Sequence, residues 1–313
     1  MDLSRRQLLR GAALAGAFLG LAGRQSLAQA DPGNFRYVYG NEPLRAEFRD
    51  FLVNVFHLYP EDELHALIEE LANDHLIDED IYRALQNRIG AITPFLSALT
   101  YSLPALRQQK REMAKQTVSL LAGADKLDGY LEIGSHGRYV DALEERLSIR
   151  GERFFCGPLA PTYSFTDIVD RGQLPKAGPF IPLNDYATDL NGVIPSGSID
   201  LVTVYIGFHH CPVDLRASFL GQIRQTMSDR GVLIVRDHDA HNETMWRKVA
   251  LAHDVFNMGT AETWEFNDNE RRLFYPLTTL HQMLTEAGFK TDGRRLLQQG
   301  DPTLNTLMLY TKA

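Results

Sequence analysis

Cysteine is scarce. The 313 residues contain two, Cys156 and Cys211, so no disulfide framework can hold the chain together and its core must suffice without staples. Long apolar runs are also missing. The stretch from Gly11 to Gly23 falls short of the ~20 residues that a membrane-spanning helix needs. Positive charge is in deficit: without residues 1–30, which hold four arginines and one aspartate, the 32 basic and 40 acidic residues become 28 and 39, a net charge of −11. That balance disfavours nucleic acid and an anionic membrane surface as partners. Repeats, low-complexity tracts and internal linkers are absent too. The 283 residues from Asp31 onward suit one large α/β domain with a helical appendage, or two domains.

What stands at the amino end reads as a leader. Ser4-Arg5-Arg6-Gln7-Leu8-Leu9-Arg10 has the form of a twin-arginine signal core. The Gly/Ala/Leu stretch follows, and Ala28-Gln29-Ala30 is a small-x-small cleavage site. The three parts predict recognition by the twin-arginine export machinery, cleavage after Ala30, a periplasmic product and no stable membrane span after cleavage. A basic amino terminus before an uncleaved anchor is the competing reading.

Residues 31–125 read as a helical segment without a chemical motif. Leu44, Phe48, Phe51, Leu52 and Val55 form one helical stripe, Leu64, Leu67, Ile68 and Leu71 a second, and Ile81, Leu85 and Ile89 a third. The basic run Arg107 to Lys115 is expected on a solvated helix face. The segment could act as a lid over a site.

From residue 126 to 313 the pattern alternates between strands and helices. Strands are expected at Tyr130–Ile133, Glu152–Cys156, Gly178–Leu183, Ile199–Phe208, Gly231–Val235, Thr291–Gln298 and Thr306–Thr311. Helices are expected at Tyr139–Ile149, Asp214–Met227, a region extending to Phe256, and Tyr275–Phe289. The reading is an α/β fold, a doubly wound and mainly parallel seven-stranded sheet, with the helical segment in front of it.

Residues 130–137, Tyr-Leu-Glu-Ile-Gly-Ser-His-Gly, are strand, tight turn and the approach to a helix. Glycines allow backbone to come close to a ligand, and a helix start offers free N–H groups to polar or anionic atoms. The pattern is E-x-G-x-x-G, with Glu132 where a dinucleotide fingerprint has its first glycine. It resembles motif I of the class I S-adenosylmethionine-dependent methyltransferases, D/E-x-G-x-G-x-G. Glu132 and Gly134 match; His136 and Arg138 replace the second and third glycines. Pro195 to Asp237 resembles the same family's small-molecule members more closely. There P-x-G-S-I-D-L-V leads into an apolar strand, His209-His210-Cys211-Pro212, a helix with Q-I-R-Q-T-M, and D-R-G-V-L-I-V-R-D. The resemblance covers about residues 120–313.

By that resemblance the chain takes S-adenosylmethionine and a small-molecule acceptor. Glu132 and Gly134, with His136 and Gly137 in the same turn, would line the methionine and ribose part of the pocket. Asp185 would meet the adenine amine with Tyr186 beside the ring, and Phe208 and His209 would wall the sulfonium. His210 and His238 are the general-base candidates. One departure stands out: the family has a ribose-gripping acid at the end of its second strand, and here that strand ends Phe155-Cys156-Gly157-Pro158. Two rival readings follow, a non-catalytic periplasmic protein that keeps the fold to bind another ligand, and a metal-dependent enzyme. The second rests on His136, His209, His210, His238 and His241, all expected at the ends of three neighbouring strands. The primary expectation is that these histidines line a cleft and hold no metal, and that both cysteines are free thiols.

Overall fold

The computed structural model describes residues 31–95, 98–123, 126–162, 164, 168 and 178–313. The expected leader and cleavage site, residues 1–30, lie outside these residues.

The strands read from their apolar runs form one mixed sheet. They are β1 (Lys126–Ile133), β2 (Ser148–Gly157), β3 (Phe180–Pro182), β4 (Ile199–Val204), β5 (Met227–His238), β6 (Phe289–Lys290), β7 (Arg295–Leu297) and β8 (Asn305–Lys312). The order is β3-β2-β1-β4-β5-β8-β6, with β7 also on β8. All pairs from β3 to β5 are parallel, and β8 runs antiparallel to β5. β6 and β7 pair successive stretches of β8, Phe289 opposite Lys312 and Arg295 opposite Met308. They are one sheet position broken by the turn around Gly293, which has φ +83°. Eight strands therefore occupy the seven positions expected.

Both faces of the central strands are buried, as alternation in a covered parallel sheet requires. Leu131, Ile133, Val202, Val204, Leu233 and Val235 pack on one side against α7 (Val213–Thr226) and α10 (Leu277–Glu286). Tyr130, Leu201 and Ile234 pack on the other with α5 (Leu103–Leu121) and α6 (Val140–Glu144). The helices α1 (Gly33–Tyr39), α2 (Glu42–Phe51), α3 (Glu61–Asp74) and α4 (Asp78–Ile92) do not enclose a core of their own. Phe35, Phe48, Leu67 and Tyr82 cluster with Leu251, Val255 and Met258 of α8 (Glu243–Gly259). A short α9 (Trp264–Asn269) follows it.

Three local expectations need correction. The helix after β1 spans five residues rather than Tyr139–Ile149, because Ser148 and Ile149 pair with Lys126 and Leu127 as the start of β2. The strand expected to reach Phe208 stops at Val204; Phe208–His210 is a 3-10 turn. The basic run is not wholly solvated either: Lys110 is 4% exposed and its ammonium meets Asp141 at 2.5 Å.

Candidate functional site

Parallel strands β1, β2, β3, β4 and β5 all end at one edge of the sheet, and strand order reverses between β1 and β4. Open α/β sheets bind ligands there. Two different constructions occupy this edge.

The first is the turn after β1. Gly134 and Gly137 have φ +91° and +93°, a region that costs other residues steric energy. The Glu132 carboxylate holds the turn from below. It accepts from the Ser135 hydroxyl and from the Tyr130 hydroxyl at 3.0 Å. It also accepts three successive backbone N–H groups, Gly137 at 3.1 Å, Arg138 at 2.8 Å and Tyr139 at 3.2 Å. They belong to the turn that leads into α6, whose N-cap is Tyr139. Burial raises the Glu132 carboxyl above its ordinary range, and those donors oppose the rise. At 1% exposure, Glu132 shapes the turn from within, and the faces left at the edge belong to half-buried Gly134 and His136. Gly137 lies against the Phe155 ring.

The end of β3 carries the second conformational signal. Asn184, Asp185 and Tyr186 have φ +47°, +53° and +69°, three successive non-glycine residues in left-handed backbone. Such strain persists where the surroundings over-determine it and clusters at binding sites. Tyr186 is buried against Phe208 and Phe219 at ring distances of 6.2 and 5.2 Å. Asp185 is left outside, its side chain 67% exposed and paired with Arg271 at 2.7 Å. Phe208 is 2% exposed and stacks on Phe219. The end of β2 offers Gly157 and Pro158 and no acid.

The second construction gathers histidines at the ends of β4 and β5. Nδ1 of His209 lies 2.6 Å from Asp237, whose carboxylate also accepts from the His209 and His238 backbone N–H groups and from the Tyr275 hydroxyl at 2.7 Å. Burial alone would raise Asp237; His209, His238 and Tyr275 overcome it and hold it well below the usual carboxylate range. His210 Nδ1 meets the Arg271 carbonyl at 2.8 Å and His238 Nδ1 the Thr303 carbonyl at 3.0 Å. Burial, reinforced by His209, pushes the imidazoles of His210 and His238 down to about 4. As general bases near pH 7 both are weaker than a free imidazole.

His253, on α8, joins this group. Its ring lies 5.1 Å from His209, 5.5 Å from His210 and 5.9 Å from His238. It was not legible as a site residue, since it sits among the apolar positions of a helix far along the chain. His241 turns away instead: it is exposed and bonds to the Asp239 carbonyl at 2.9 Å. Cys156 and Cys211 are free thiols, both buried.

No family model matches the sequence, and no curated protein matches it. Among solved structures, the 1,6-didemethyltoxoflavin-N1-methyltransferase of Burkholderia thailandensis, with 1,6-didemethyltoxoflavin and S-adenosylhomocysteine bound, is 14% identical; the match covers 65% of this chain and 78% of that one, with a TM-score of 0.43. The CurJ carbon methyltransferase is 13% identical over 89% of this chain and 70% of its own, at 0.45. The N-methyltransferase NodS of Bradyrhizobium japonicum is 14% identical over 64% and 95%, at 0.40. Likeness at this level concerns the fold alone.

Proposed function

We propose that the chain binds S-adenosylmethionine at the β1–β4 crevice and transfers its methyl group to a small molecule. The observation that carries this reading is the Glu132 carboxylate holding three successive backbone N–H groups of a two-glycine turn, in a segment whose sequence resembles the family's motif I. The residues fit the two ends of the cofactor unequally. Gly134 and His136 would meet its methionine end, and the left-handed turn at Asn184–Tyr186 would present Asp185 to the adenine amine, Arg271 yielding its place. The ribose has no acid at the end of β2; a charged hydrogen bond contributes about 1.5–3 kcal/mol, so affinity should fall roughly 10–100-fold below that of a complete site. When bound, the cofactor supplies a sulfonium methyl group for in-line displacement; the chain's part is to orient and to exclude water. His210 and His238 would take an acceptor proton only weakly.

The missing acid also favours a second reading, a non-catalytic protein that keeps this fold for another ligand. Titration calorimetry with S-adenosylmethionine and S-adenosylhomocysteine separates the two. Binding that weakens at least tenfold in Asp185→Ala, an exposed position that leaves the fold intact, supports the first reading; no binding by the folded wild type leaves the second. Gly134→Val is a poor probe, because the position needs φ +91° and a Cβ there would meet the Ile206 side chain at 3.2 Å. We further propose export through the twin-arginine machinery to the periplasm. Intact-mass measurement of the periplasmic product should find Asp31 as its first residue, and only full-length cytoplasmic chain would refute it.

A further inference from the structure

The histidine group has the form of a metal centre whose ligands are already oriented. In two rings Nδ1 is hydrogen-bonded to an acceptor, the Asp237 carboxylate at 2.6 Å for His209 and the Arg271 carbonyl at 2.8 Å for His210, and in the third, His253, Nδ1 stands 3.6 Å from the Glu270 carboxylate, at ion-pair distance. An acceptor on Nδ1 keeps the proton there and leaves the Nε2 lone pair available. Carboxylate and carbonyl partners of this kind orient and strengthen imidazole ligands in metalloproteins. The candidate ligand atoms of His209, His210 and His253 lie within 4.8 Å of one another. Nitrogens around a tetrahedral ion, each at ~2.0–2.1 Å, stand about 3.3 Å apart, so ring adjustments of about 1 Å would close the set.

A second observation points the same way. His209 is 2% exposed, and its buried Nε2 has no hydrogen-bond partner. Buried polar atoms are seldom left so, and one that is asks for an unseen water or ion. The charges also balance. Asp237 and Glu270 stand directly behind the ligands. Glu270 is itself fixed by Arg272 at 2.8 Å and Asn257 at 3.0 Å, and burial of a dication beside two carboxylates costs less than burial beside none.

We propose that His209, His210 and His253 together bind one divalent cation of the zinc class through Nε2, with further coordination positions open to water or to a ligand atom. Three imidazoles and no first-sphere carboxylate select zinc, cobalt, nickel or copper over magnesium and calcium. Thiolate takes no part: the Cys211 sulfur faces the Pro212 carbonyl, and Cys211 is not among the atoms that converge. His238 stands beside the set, tied to Thr303 and in contact with Asn305 at 3.4 Å. The proposal departs from the expectation that the strand-end histidines only line a cleft, because the residue that completes the triad comes from α8. It shares His210 with the methyl-transfer reading, since a ring bound to metal through Nε2 leaves His238 as the remaining base candidate, but its readouts do not depend on that reading.

The test uses full-length chain without a polyhistidine tag, stripped with chelator and dialysed against Zn²⁺ or Co²⁺. About one ion per chain by elemental analysis, visible d–d bands of tetrahedral character with Co²⁺, and a rise in melting temperature that chelator reverses are expected. His210→Ala and His253→Ala should each remove stoichiometric uptake, and Asp237→Asn should weaken it ~10–100-fold. His241→Ala should leave it unchanged. Folded wild-type chain that takes up no stoichiometric ion would overturn the proposal whatever the variants do. So would uptake that survives His253→Ala, or uptake lost equally in His241→Ala. Cofactor titrations have no bearing on these readouts, so failure here and failure of the methyl-transfer reading are separate results.

Discussion

The turn after β1 and the histidine group after β4 stand at the same edge of one sheet, and they treat their polar atoms in opposite ways. Glu132 spends its carboxylate inside the protein, on two hydroxyls and three backbone N–H groups. His209, by contrast, spends one ring nitrogen on Asp237 and leaves the other buried and unmatched. A fully matched group makes structure and presents its surroundings to a ligand. A half-matched one is itself a binding atom. Titratable type and position at a strand end do not separate the two; the hydrogen-bond inventory does.

That contrast can be broken by mutation. The largest effect is expected at Glu132. Glu132→Ala orphans several buried donors at once and should lower unfolding free energy by about 3–5 kcal/mol in urea titrations; a loss below ~1 kcal/mol would show that the carboxylate does not organise the turn. Asp200, at the other end of the sheet, offers a matched carboxylate for reference. It accepts from the Asp128 N–H at 2.8 Å, the Ser228 hydroxyl at 2.5 Å and Arg230 at 2.8 Å. Asp200→Ala should cost about 1–3 kcal/mol.

The Asp200 effect carries a pH signature. Burial would raise this carboxyl, but Arg230, Ser228 and Asp128 hold it below its usual value. A depressed folded-state pKa stabilises above the unfolded value, near ~3.9, and the contribution fades as pH falls through the folded value. The gap between wild type and Asp200→Ala should therefore begin to narrow below about pH 4 and go on narrowing as pH falls through the folded value; a constant gap down to the acid transition would reject the assignment.

Smaller effects test the half-matched side. In metal-free protein His253→Ala should cost only ~1–2 kcal/mol, as an ordinary partly buried substitution does, whereas added Zn²⁺ should widen the gap by stabilising wild type alone. Smallest of all is Asp185→Ala. The exposed Asp185–Arg271 pair should contribute no more than ~0.5 kcal/mol, and alanine fits φ +53° less well than aspartate, so the total loss should stay below about 1 kcal/mol. A large destabilisation there would mean that the left-handed turn at 184–186 depends on the ion pair.

The sheet was readable because its strands are short apolar runs with opposite faces buried, as in Leu131/Ile133 against Tyr130 and Val202/Val204 against Leu201. Boundaries were less readable. Val140, Leu143 and Leu147 fit a helix stripe, and the pairing of Ser148 and Ile149 with β1 decided for a strand from Ser148 onward. At the site, the pairing of an acid with a two-glycine turn was legible, since both lie within eight residues. The left-handed backbone of Asp185 was not, because tertiary packing of Tyr186 imposes it. His253 was hidden for a different reason: its neighbours Leu251, Ala252 and Val255 point it out as part of a packing helix, and only the docking of α8 brings it to His209.

The placement of β8 has a consequence for how the molecule is made. Residues 305–312 are inserted between β5 and the β6/β7 position, and α1 to α4 pack on α8, so early and late segments complete one another. A ribosome-bound chain that stops short of residue 305 lacks the strand that covers the exposed edge of β5, an invitation to mispairing. Contacts of such long sequence separation make folding slow and late. Folding is therefore an event that follows synthesis, and any translocation route for this protein must either act before the last strand emerges or wait for the finished sheet. The twin-arginine export proposed from residues 4–10 would be a route that waits.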